Sequence, residues 1–153
     1  MMDLQFSDEL GTTQELAALK RLLSRVRVGR WVQHALRHPN ADDQITLRIV
    51  GLDEGRALNR GYRGNAKDYA TNVLTFDYQT QPFLAADIVL CAPVIAMEAQ
   101  QQGKALEAHW AHLIIHGILH AQGYEHETHE RDALEMEALE ILLLGALGYP
   151  NPY

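Results

Sequence analysis

The sequence predicts an α+β domain with a small mixed sheet of about four strands packed with helices, on three observations. Four short stretches alternate apolar with polar residues or are rich in β-branched ones, and longer stretches carry apolar residues at helical spacing. The two kinds interleave irregularly, not as repeating β-α units, which favours a segregated sheet-and-helix architecture.

In chain order, "DLQF" is the first and weakest strand. "TTQELAALKRLLSRV" predicts a helix, with a hydroxyl N-cap near Thr12 and Leu16, Leu19, Leu22, Leu23 and Val26 on its apolar face. Gly29 is expected to interrupt it, and "RWVQHAL" resumes the helical period before the turn-rich "HPNADD". "QITLRIV" alternates as a strand, and "DEGRALNRGYRGN" predicts a short helix running into a glycine-rich loop that holds Arg63. "NVLTFDY" and "AADIVLCAP" are strand-length, Cys91 closing the second. "VIAMEAQQQG" predicts a helix stopped by Gly103, with Met97, like Met136, in the core. "EAHWAHLIIHGILHAQG", apolar nearly all round, predicts a buried helix stopped by Gly123. A last helix is expected from about Thr128 to the glycines 145–148, before Pro150 and Pro152.

The 153 residues, 47% of them hydrophobic, suffice for one domain over 1–153 with a core of its own. No stretch reaches the roughly 20 apolar residues of a membrane span, and the acidic start "MMDLQFSDEL" lacks secretory-signal features, so a cytoplasmic, membrane-free location is expected. The lone Cys91 excludes an internal disulfide and finger-type zinc sites, and suits a reducing compartment. Net charge is −7, but residues 1–67 hold 11 basic against 8 acidic side chains and residues 68–153 hold 2 against 12. The run Arg48, Arg56, Arg60, Arg63, Lys67 could form a local basic face able to bind phosphate weakly and salt-dependently.

The stretch "HGILHAQGYEH", residues 116–126, spaces His116, His120 and His126 as H-x3-H-x5-H with a glycine between the last two. This is the ligand frame of H-E-x-x-H-x-x-G-x-x-H metalloproteases, except that Gly117 stands where they carry their catalytic Glu. On a helix His116 and His120 stack one turn apart, roughly 5–6 Å between Cβ atoms, and a turn at Gly123 can bring His126 over the same ion. Three nitrogens leave a fourth tetrahedral position open, the mark of a catalytic zinc site. A glycine cannot serve as base or as acid for an amine leaving group, which disfavours peptide hydrolysis, and it is expected to leave room beside the ion for a phosphodiester. His112 is expected to pack behind the site, His109 and His129 to lie at the surface or cap helices, and His34 and His38 to form a solvated helix face. Asn72 and Thr75 are expected to pack or cap.

The string "AHWAHLIIHGILHAQGYEH" followed by "EMEALE" and "LGYPNPY", with "LNRGYRG", "TNVLTFDY" and "ADIVLCAP" before it, resembles the YbeY family of bacterial rRNA-maturation endoribonucleases over roughly residues 45–153. The resemblance implies a metalloprotease-like fold and zinc-dependent cleavage of single-stranded RNA, in small-subunit rRNA 3′-end maturation and ribosome quality control. It places His116, His120 and His126 on the family's zinc ligands and Arg63 on its functional arginine, with Arg60 a competing candidate. Single-stranded rRNA and the small ribosomal subunit with its proteins are the implied partners. A planar guanidinium suits the role, since it grips two phosphate oxygens at once. Two other readings compete: a zinc peptidase, which Gly117 disfavours, and a non-enzymatic ribosome-assembly factor whose zinc is structural. The sequence carries no sign of oligomeric state.

Overall fold

The computed structural model describes residues 1–124 and 130–153, and of Asn65 the backbone alone. Along the chain run β1 (Met2–Phe6), α1 (Thr13–Leu22), α2 (Arg25–Ala35), β2 (Gln44–Val50) and α3 (Leu52–Arg63), then a short 3-10 turn at Asn65–Lys67. There follow β3 (Val73–Gln79), β4 (Ala85–Cys91), α4 (Ala92–Gln101), α5 (Leu106–Ala121) and α6 (Glu130–Ala146). The sheet order is β1-β2-β4-β3, with β1 and β4 parallel to β2 and β3 antiparallel to β4. The four strands and the mixed sheet are as the sequence predicts, the weak "DLQF" strand included.

Alternation along β2 and β4 divides the interior. Ile45, Leu47, Ile49, Ala86, Ile88 and Leu90 point into the main core with Trp31, Trp110 and the apolar side of α5. Val50, Val89 and Cys91 point the other way, into a smaller cluster with Leu74, packed against Leu58 of α3. α5 is therefore the central helix, touching α2, α4, α6, β3 and β4, which is why its sequence is apolar nearly all round. Burying each large side chain stabilises the fold by about 1.5–3 kcal/mol.

Several expectations are corrected. Thr12 caps α1 in a reciprocal box with Glu15, as expected, but the helix breaks at Leu23–Ser24 and not at Gly29, which lies inside α2. The Ser24 hydroxyl accepts from the Arg27 amide and starts a new helix, whose buried stripe is Val28, Trp31, Val32 and Ala35. That reset leaves Val26 exposed. Met97 is exposed as well, whereas Met136 is buried. His34 is not part of a solvated face: its Nε2 lies 3.0 Å from the Leu143 carbonyl of α6, and His38 falls beyond the end of α2.

Gly123 ends α5 with φ +102°, its amide donating to the His120 carbonyl and the Tyr124 amide to that of Leu119. Gly148 (φ +89°) does the same after α6, where the Tyr149 amide donates to the Leu144 carbonyl. The second turn sends residues 150–153 back along the helices, where Lys104 donates to the Pro152 carbonyl. No helix among the described residues is long and apolar enough to cross a membrane.

Candidate metal centre and cleft

His116 and His120, one turn apart on α5, line one cleft of about 210 Å³ with Tyr62, Arg63, Val73, Leu74 and Thr75. The cleft lies where the end of α3 and the start of β3 meet α5. Three of the four residues named from the sequence are thus described, and those three converge. His126 lies outside the described residues, as do His129, Thr128 and the start expected for the last helix.

Arg63 is the last residue of α3, not a loop residue as expected. Two glycines in "NRGYRG" suggest a loop, yet Gly61 sits on the open side of α3 and costs it only propensity. The helix stops one residue later, at Gly64, whose φ of +96° disfavours other residues. Buried Asn59 donates to the carbonyls of Lys67 and Tyr69 and so ties the following loop back to the helix. Asp68 in that loop accepts from Arg56 Nε and Nη2 at 2.7 and 2.8 Å, with Arg60 3.8 Å away. Arg48 is likewise taken up, by Glu54. Of the five basic residues, three are paired internally, and Arg63 forms no ion pair among the described residues. Arg63, and not Arg60, lines the cleft. The Tyr62 ring, more than half exposed, leans on Phe76 with centroids 4.5 Å apart.

Gly117 does not leave space beside the histidines. A Cβ there would stand 2.9 Å from Ile88 Cγ2 and 3.5 Å from Val73 Cγ2, so the glycine lets α5 approach the sheet closely. The expectation of room for a phosphodiester at position 117 is therefore wrong, although the missing carboxylate remains a fact. Among the described residues no Asp or Glu lines the cleft.

Behind the cleft is a carboxylate the sequence reading missed. Glu140 of α6 is fully buried, and its Oε1 lies 2.9 Å from both His112 Nε2 and His116 Nδ1. Its Oε2 accepts from the Tyr153 hydroxyl at 2.7 Å. Burial would raise this carboxyl, but the hydrogen bonds from His112, His116 and Tyr153 outweigh it and bring it down to about 2. Burial and the Glu140 charge push the Tyr153 hydroxyl up, so it stays a donor. The signal was there in the sequence. Met136, Glu140, Leu143 and Leu144 share the buried phase of α6, and a carboxylate in an apolar stripe demands partners.

The ligand atoms of His112, His116 and Glu140 all lie within 4.8 Å of one another, so this group is positioned to bind a metal. The donor chemistry of the cleft fits a metal as well. His116 can donate through Nδ1 to Glu140, which leaves Nε2 with the lone pair, the arrangement usual for imidazole ligands. His112, expected behind the site, is found there. His109 departs from its surface reading: it is buried, and its Nε2 meets Glu98 Oε1 at 3.0 Å. Burial holds its pKa below the usual histidine value despite that carboxylate. Glu98 also accepts from Asn72 Nδ2, and Asn72 Oδ1 accepts from the Val73 amide, so this chain of bonds fixes the start of β3 beside the cleft.

The profile of the family described as Endoribonuclease YbeY matches residues 13–148. The Endoribonuclease YbeY of Polaromonas sp. (strain JS666 / ATCC BAA-500) is 59% identical over 152 residues, covering 99% of this chain and 93% of that protein. That of Polaromonas naphthalenivorans (strain CJ2) is 58% identical over 150 residues, covering 98% and 96%. Among solved structures, the solution structure of TM1509 from Thermotoga maritima matches with a TM-score of 0.58 at 25% identity, covering 94% of this chain and 87% of that one. With a profile matched over most of its length and relatives so similar end to end, the chain belongs to the YbeY family.

Proposed function

We propose that the protein is a zinc-dependent endoribonuclease that cuts single-stranded RNA, and that its 153 residues form one metal-dependent hydrolase domain. The observation that carries the reading is the shared cleft of His116, His120 and Arg63, in a chain whose relatives are named endoribonucleases. His116, His120 and His126 would hold one Zn²⁺. When bound, the ion would supply Lewis acidity to the oxygen chemistry of a phosphodiester. Arg63 grips two non-bridging oxygens of the scissile phosphate and offsets the charge that grows on them in the transition state. The exposed Tyr62 face takes a neighbouring base by stacking, as unpaired bases permit. A peptidase reading lacks support, because no carboxylate among the described residues stands in the cleft to protonate a leaving amine. We place the substrate in rRNA, at the maturing 3′ end of the small-subunit RNA, with the small subunit and its proteins as partners, ribosome quality control as the wider role and the cytoplasm as the location.

The test uses zinc analysis and cleavage of a single-stranded rRNA fragment, with and without chelator. Loss of cleavage with the fold intact, restored by zinc, is the expected result. Unfolding on chelation with no cleavage at any zinc level would favour a structural metal in an assembly factor. Analysis of the product ends identifies the nucleophile, since a 2′,3′-cyclic phosphate means attack by the 2′-hydroxyl.

A further inference from the structure

Three features around α5 converge on one buried carboxylate. Glu140 receives two histidine nitrogens on Oε1 and a phenol on Oε2, and no solvent reaches it. A buried carboxylate with three donors is satisfied as it stands. The 2.9 Å separations to His112 and His116 are hydrogen-bond lengths, and the group is closed to substrate, whereas His116 and His120 open onto the cleft. An imidazole that donates through Nδ1 is fixed in one tautomer, with the lone pair on Nε2.

The position of Tyr153 is not incidental. The Gly148 turn reverses the chain, the Tyr149 ring stands edge-on to Trp31, and its hydroxyl donates to Glu107. Lys104 holds the Pro152 carbonyl, Pro152 is buried, and the Tyr153 ring meets the edge of His112 at 5.4 Å between centroids. A whole segment is thus anchored so that one hydroxyl reaches Glu140.

We propose that Glu140, itself oriented by Tyr153, is the positioning residue that sets the tautomer and ring orientation of His116, and thereby the zinc affinity of the cleft. The inference rests on the reading of His116 as a ligand, but only in its second half. The first half, the tautomer, is a property of the protein without metal. Tyr153 acts at one remove: without its bond, Oε2 is short of a donor and the carboxylate turns from His116. His112 shares Oε1 with His116 and limits that rotation.

Two variants test this, Glu140→Gln and Tyr153→Phe. The second keeps the ring against His112 and removes one oxygen from a half-exposed side chain, so it folds even if the first does not. Nitrogen NMR of metal-free wild type should find the ring proton of neutral His116 on Nδ1, where it faces Glu140 Oε1, and both variants should mix the tautomers. Zinc titration against a chromophoric chelator should then give about 10–100-fold weaker binding in Glu140→Gln. Tyr153→Phe should lose several-fold, with one zinc per chain still bound at saturation. A merely structural role would lower the melting temperature and leave the tautomer and the zinc affinity of the folded protein unchanged, and that result overturns the proposal. So does a wild-type His116 protonated on Nε2, or a zinc complex in which Glu140 itself coordinates the ion. A wild type with the Nδ1 tautomer that takes up no zinc refutes the metal reading and the affinity half of the proposal, while the positioning of His116 by Glu140 stands.

Discussion

At the scale of single residues, Gly117 and Arg63 separate the structural from the chemical demands on the cleft. Gly117→Ala places a methyl 2.9 Å from Ile88 Cγ2, and α5 must move to admit it, at an expected cost of about 1–3 kcal/mol in denaturant unfolding. Ile88→Ala removes the obstacle, so adding Gly117→Ala to that background should cost little more, and a full additive cost would refute the close-approach explanation. Arg63→Lys has the opposite signature. It should keep the fold and zinc content and lose most RNA cleavage, about 100-fold, because a point charge cannot reproduce the two-toothed grip. Retained activity there, beside a dead Arg60→Lys, would move the role to the earlier arginine. The pairing of His116 and His120 was legible because helical spacing alone brings them to one cleft. Glu140 was marked only as a lone carboxylate in the buried phase of α6, and its partners on α5 and at Tyr153 could not be read from that phase.

Elements are where sequence periodicity is most informative and where its failures have definite causes. The strands β2, β3 and β4 and the central helix α5 follow from alternation and from apolar runs. The break at Ser24 was missed because a capping hydroxyl competes with a continuing period, and the glycine five residues later was the louder signal. Arg63 was assigned to a loop because two glycines hid the end of α3, whose own Asn59 ties the loop beyond it back to the helix. At the start of α3, Glu54 joins the helix to β2 through Arg48 and to Ser7, and the Arg48 hydrogen bond holds its carboxyl below the usual range. A carboxyl depressed in the folded state stabilises in full above its ordinary pKa of about 4.3, and the contribution disappears as pH falls through the lower folded value. Glu54→Gln should therefore be less stable than wild type near pH 7, by about 1 kcal/mol after solvent screening, with the gap closing below about pH 4. Unfolding curves at three pH values check this, and a gap that ignores pH would exclude the ion pair as its source.

For the molecule as a whole, the basic run from Arg48 to Lys67 is partly taken up by carboxylates of the same chain. Composition counts charges but not the partners that folding assigns them. Arg48 goes to Glu54, and Arg56 with Arg60 to Asp68, so of the run only Arg63 and Lys67 remain outside such pairs among the described residues. With about two phosphates neutralised on a single strand, log affinity should fall against log salt with a slope of about −1.4, and a slope of about −3.5 would mean that all five are engaged. Asp68→Asn should steepen that slope and tighten RNA binding. The Asp68 fork then has a kinetic meaning. Its carboxylate offers Arg56 the same pair of oxygens that a phosphodiester would, so any RNA reaching for those guanidinium groups must displace an occupant already in place. A nuclease armed in this way carries its own competitor. Cut strands should therefore leave it faster than they leave Asp68→Asn, in which Arg56 is open to backbone phosphates.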